Sequence, residues 1–136
     1  MSNNLFALLI HGHPEPFESL KRNLKDLSVD TYSVENCKDA DDLIYRCKPH
    51  LVFAENCMAD GSWLSILKRA EAENVPTSII VVAAYPDMRL YVAVMEKGAF
   101  DYVAPPFEHE SLERVIHSAV LDTCRRRKVL TQLSAN

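Results

Sequence analysis

The sequence predicts an α/β fold, a three-layer sandwich around a five-stranded parallel sheet, on three observations. Apolar, strand-like runs recur at residues 5–10, 31–34, 50–55, 78–84 and 100–104. Each is followed by a stretch with helical spacing, so the chain reads as five βα units. The first, third and fourth runs are apolar on both faces, as the interior of a parallel sheet requires when helices cover each side. Right-handed crossovers then place helices in both outer layers.

Each element has its own local signals. The first helix is announced by Pro14 and Pro16 and carries Phe17, Leu20, Leu24 and Leu27 on one face. The second takes Ala40, Leu43, Ile44 and Cys47 before Lys48 and Pro49 stop it, because the residue before a proline is pushed out of the helical region. The third opens near Gly61 with Trp63, Leu64, Ile66 and Leu67. The fourth follows Pro86, uses Leu90, Val94 and Met95, and closes on Lys97 and Gly98, a basic residue and then a glycine able to adopt a left-handed cap. The fifth begins after Pro105, Pro106 and Phe107 and runs through Leu112, Val115, Ile116, Ala119 and Val120.

At 136 residues, with 48% hydrophobic and 25% charged, the chain suits one ordinary domain. A net charge of -4 argues against nucleic-acid binding, whose footprint is a basic face. The apolar runs are too short to span a bilayer, and the N-terminus has neither the basic region nor the cleavage pattern of a signal peptide. A cytosolic protein with no membrane contact is expected. Cysteines at 37, 47, 57 and 124 contain no CxxC pair, so reduced thiols are expected rather than disulfides or a zinc site.

In a sheet of this kind ligands meet the crevice at the carboxyl ends of the strands flanking the switch in strand order. Those ends read His11-Gly12-His13, Glu55-Asn56-Cys57 and Ala83-Ala84-Tyr85. Glu55 is the conspicuous residue, an acid that ends an apolar run. The stretch LVFAENCMADGSWLSILKRA resembles the third strand and helix of response-regulator receiver domains, where a phosphoacceptor aspartate precedes Met-Pro-Asp-Gly by two residues. IIVVAAYPDMRLYVAVMEKGAFDYVAPPF is similar to their fourth strand through fifth strand. The resemblance covers residues 5 to about 120.

The resemblance implies a flavodoxin-like sheet of order 2-1-3-4-5. It also implies a site in which an acidic pair holds Mg²⁺, an aspartate accepts a phosphoryl group, a Ser or Thr binds it and a lysine pairs with it. The matching positions here are His11 and Gly12, Glu55, Ala83 and Pro105. All differ. The expected function is therefore a pseudo-receiver in two-component signalling: not an enzyme, without cofactor, and acting as a protein interaction module. The family's Lys-Pro bond is typically cis, so a cis bond is expected before Pro106. Tyr102 holds the position of the family's switch aromatic and is expected half-buried with its hydroxyl at the surface.

Two alternatives stay open: a phosphoacceptor with an unconventional site, and a metal or small-ligand sensor using His11, His13 and Glu55, with Cys57 as a further ligand. Glu55 itself is either a mimic of a phosphorylated aspartate or a polar residue satisfied at the sheet rim by loop amides or His11. Residues 125–128 read as a solvated basic face suited to a helix C-terminus. Residues 121–136 keep the helical pattern past the 1–120 domain, as a connector to a further domain or as a packing tail. A homodimer is expected through the fourth helix, fifth strand and fifth helix, extended by Leu130 and Leu133, with the basic run set near Glu108, Glu110 or Asp122 of the neighbour.

Overall fold

The computed structural model describes residues 5–135, with side chains through residue 132. Its strands are β1 (Leu5–Ile10), β2 (Val29–Val34), β3 (Leu51–Glu55), β4 (Cys57–Met58), β5 (Gly61–Ser62), β6 (Ser78–Val82) and β7 (Asp101–Val103). The helices are α1 (Phe17–Asp26), α2 (Cys37–Cys47), α3 (Trp63–Ala72), α4 (Met88–Lys97) and α5 (His109–Ala135). Five strands pair in parallel in the order β2-β1-β3-β6-β7. Since β4 and β5 form a separate two-stranded hairpin, β6 and β7 are the fourth and fifth strands of the main sheet, and the expected order 2-1-3-4-5 holds.

Alternate residues of the central strands feed two cores. Ala7, Leu9, Leu51, Phe53, Ile80 and Val82 pack under α1 and α5. Their neighbours Leu8, Ile10, Val52, Ala54, Ile79 and Val81 pack under α2, α3 and α4. Residues 51–54 and 78–82 are buried throughout, which is why they read as continuous apolar runs. Helix ends follow their signals. Asn36 and Asp87 cap α2 and α4 by accepting from backbone N–H groups, Ser62 begins α3 with a capping box, and Gly98 closes α4 at φ 97°. The Pro105-Pro106 bond is cis as expected, and so is Glu15-Pro16.

Several boundaries are corrected. The second strand begins at Val29 rather than residue 31, and the fourth ends at Val82 rather than residue 84. The turn read between Glu55 and α3 contains the β4–β5 hairpin. In α4 only Val94 is buried, while Met95 is 39% exposed.

The fifth helix is unbroken to Ala135, as its pattern implied. Its basic run is not merely solvated. Thr123 is fully buried and its hydroxyl donates to His50 O at 3.1 Å, with the Ser78 hydroxyl 2.7 Å away. Arg126 donates to Thr77 O and to the Asp122 carboxylate, at 3.2 and 2.8 Å. Arg127 donates to Pro76 O, Lys48 O and Pro49 O at 2.8, 3.0 and 2.8 Å. The helix is thus fastened to the loops entering β3 and β6. Asp122 also accepts from Arg125 at 3.3 Å, within its own helix. The side chain of Leu133 lies outside the described residues.

Candidate functional site

The crevice forms where β1, β3 and β6 end together. Ile10 pairs with Ala54, and Glu55 with Val82, so Glu55 is the residue at which β3 leaves the core. Its side chain is only 15% exposed, and a carboxylate so placed needs partners. Both come from the loop between β1 and α1. One oxygen accepts the Gly12 N–H at 2.7 Å, and the other meets His13 Nδ1 at 2.7 Å. Because a carboxylate only accepts, Nδ1 of His13 carries the hydrogen. The side chain of His13 is otherwise 76% exposed.

His11 points elsewhere. It is buried, stacked on Phe17 with ring centroids 4.2 Å apart and planes 12° apart. Its Nδ1 lies 2.7 Å from His13 O and donates to it, and its Nε2 lies 3.4 Å from the Ser33 hydroxyl. The expectation that loop amides or His11 satisfy Glu55 therefore holds for the amide, while the imidazole belongs to His13. The metal set of His11, His13 and Glu55 does not assemble, because His11 faces β2 and the core. Among the described residues no three His, Cys, Asp or Glu side chains converge as metal ligands. Cys57 is exposed, its thiol nearest Met58 O at 3.9 Å.

The crevice is a cavity of about 200 Å³ lined by His13, Glu55, Cys57, Ala83, Tyr85 and Asp87 among others. Ala83 is buried and gives its N–H to Val103 O at 2.9 Å; its methyl group supplies no hydroxyl. Pro105 is half-buried past β7 and supplies no cation, nor does any Lys or Arg line the cavity. Asp87 is occupied at the start of α4, where its carboxylate accepts from Leu90 N at 3.1 Å. Tyr102 is half-buried as expected, and its hydroxyl has a backbone partner. It accepts the Asp87 N–H at 2.7 Å, and the ring meets Tyr91 edge-on at 5.6 Å.

Sequence reasoning missed Asp60. Its two oxygens accept the N–H groups of Cys37 and Lys38 at 2.8 and 3.0 Å, so the β4–β5 turn caps the N-terminus of α2 from another part of the chain. The Cys37 N–H, foremost, holds this carboxyl below the usual carboxylate range. Burial, and then Asp60, push the Cys37 thiol up to about 11, which keeps it protonated. The packing is close enough that a Cβ on Gly61 would lie 2.8 Å from Cys37 Sγ. The Asp-Gly pair signalled the turn, but nothing local signalled its partner.

Comparison with known proteins agrees with this architecture. The profile of the Response regulator receiver domain matches residues 7–117. The response regulator protein PilR of Pseudomonas aeruginosa is 25% identical over 114 residues, which are 84% of this chain and 26% of PilR. The transcriptional regulatory protein TdiR of Thauera aromatica is 26% identical over 103 residues, covering 76% of this chain and 45% of TdiR. This chain thus spans about a quarter of one relative and less than half of the other. A crystallised signal receiver domain from Vibrio parahaemolyticus superposes with a TM-score of 0.80 at 25% identity, over 93% of this chain and 97% of that one. With the parallel sheet in the family's order, the crevice at its switch point and a profile match across most of its length, the chain belongs to the response regulator receiver domain family.

Proposed function

We propose that this receiver is a pseudo-receiver, which does not use aspartate-and-magnesium phosphotransfer and serves two-component signalling as a cytoplasmic protein interaction module. The observation that carries the reading is the double engagement of Glu55. Its two oxygens are bonded to Gly12 N–H and His13 Nδ1, where the family's acid pair and acceptor would share a metal. Magnesium demands several hard oxygen ligands in near-octahedral array, and one committed carboxylate with an imidazole does not fit it. With alanine at 83 and proline at 105, the hydroxyl and cation that would hold a phosphoryl group are also lacking. The same lack weighs against Glu55 as a mimic, because a permanent charge changes a state only through groups that respond to it.

Trp63 supplies the test. It is the first residue of α3, 7% exposed, directly after the crevice loop. Its fluorescence is expected to stay unchanged when Mg²⁺ and beryllofluoride are added together. A magnesium-dependent change would favour the unconventional phosphoacceptor instead.

The interaction surface in this reading is α4, β7 and α5. On α4, Met88, Tyr91, Val92 and Met95 are 73%, 40%, 45% and 39% exposed. Their i, i+3, i+4, i+7 spacing makes one stripe, and exposed apolar patches mark interaction sites. Farther along α5, Leu121, Val129 and Leu130 are 55%, 50% and 39% exposed. Since α5 is bonded to the body as far as Arg127, we place the start of the connector at residue 128 rather than 121. A homodimer is expected by light scattering at micromolar concentration for the intact chain, and a monomer for a chain ending at Lys128. Two monomers would remove the tail from the interface.

A further inference from the structure

His50 joins three elements at the opposite end of the sheet from the crevice. Its Nδ1 accepts the Phe6 N–H at 3.2 Å, an arrangement open only to the neutral ring, because a backbone N–H cannot accept. Its carbonyl accepts the Ser78 N–H at 3.2 Å and the Thr123 hydroxyl at 3.1 Å. The half-buried guanidinium of Arg127 is bonded to the two carbonyls just before it, Lys48 O and Pro49 O, and to Pro76 O.

Of the charged groups nearby, Arg127 on α5 is the one that acts on the ring. Lys48, on the same loop, turns its ammonium back to Tyr45 O at 2.7 Å. The neighbouring strands contribute the uncharged Phe6 and Ser78, and among the described residues no carboxylate is placed to stabilise an imidazolium. Burial first, and the Arg127 charge second, hold the His50 ring below the ordinary histidine value of 6.5.

We infer that His50 is a proton-sensitive latch at the root of the C-terminal helix: its neutral ring keeps α5 seated from Thr123 through Arg127, and its protonation loosens that segment. An added proton turns the acceptor facing Phe6 N–H into a donor and sets a second positive charge beside Arg127. The helix can relieve the charge repulsion by lifting Arg127 from its carbonyls, which solvent then satisfies, while the ring turns away from the Phe6 N–H. The sign follows from linkage. A group whose folded value is depressed contributes its full stability above its unfolded value, near 6.5, and loses it as pH falls through the folded value.

Amide hydrogen exchange on the intact chain, corrected for intrinsic rates and compared at pH 7.5 and at mildly acid pH, reads the latch. Protection of residues 123–130 is expected to fall in acid, by up to roughly tenfold for each unit separating the folded and unfolded midpoints, while β6 keeps its protection. His50→Asn retains an acceptor oxygen for Phe6 N–H without a titrating ring, and should remove the pH response. Equal loss of protection in β6, an unchanged helix in acid, or a His50→Asn chain that still responds would each overturn the inference. The unmodified chain offers a second readout by NMR: the His50 ring and the Thr123 amide should titrate with one midpoint, and two separate midpoints would overturn it as well.

Discussion

Replacing Phe17 by alanine is expected to destabilise the domain by about 3–5 kcal/mol, the range for removing a buried phenyl ring from a packed core. Phe17 is fully buried. It packs with Leu9, Leu20, Leu24 and Phe53 beneath α1, and its ring carries the stacked imidazole of His11. The substitution therefore opens a cavity and also removes the floor of the loop that supplies Gly12 and His13 to Glu55. Against a total stability of about 5–15 kcal/mol, the loss is large enough to appear as an early urea midpoint. Tyr32→Ala, on the outer face of β2 at 56% exposure, is the control and should shift stability by no more than about 0.5 kcal/mol. A loss below about 1 kcal/mol for Phe17→Ala would mean that the loop and α1 are not seated as described.

Arg127→Ala is expected to destabilise by about 2–3 kcal/mol. Hydrogen bonds to charged groups contribute roughly 1.5–3 kcal/mol each when well sheltered, but this side chain is half-buried and its three acceptors can partly rehydrate, so the sum is well below three full bonds. Arg127→Lys should recover little, because a single ammonium cannot reproduce a planar fork that spans Pro76, Lys48 and Pro49. Arg125→Ala, whose side chain is 74% exposed and, among the described residues, pairs with Asp122, should cost less than about 0.5 kcal/mol. Chemical denaturation of the three variants separates a fastened helix from a solvated basic run. Equal small losses for Arg125→Ala and Arg127→Ala would return the whole run to the surface.

The contrast between those two arginines indicates what can be read from sequence. Strands β1, β3 and β6 were legible because burial on both faces leaves an uninterrupted apolar run. The start of β2 was missed because this edge strand is half exposed and carries Asp30 in its first turn of alternation. The β4–β5 hairpin has two residues per strand, too few for a period. On α4 apolar residues occupy both the core side and the outer stripe, so spacing alone did not decide that Val94 goes in and Met95 stays out. The crevice was legible as a set of strand ends, which bring Glu55 and Ala83 to one cavity, while Pro105 is not among the residues that line it. Its bonding was not, because whether His11 or His13 reaches Glu55 depends on how the loop turns over Phe17. Arg127 was the least legible of all: its acceptors are backbone carbonyls 51 to 79 residues away, and every residue type carries one.

The proposed pseudo-receiver holds Glu55 with its β1–α1 loop and takes no phosphoryl group in its crevice. Its most direct test is the intact mass of the full chain after incubation with a small-molecule phosphodonor and Mg²⁺. The expected result is the unmodified mass, for the native sequence and for Glu55→Gln alike. A mass increase of one phosphoryl group that appears in the native chain and is absent from Glu55→Gln would contradict it.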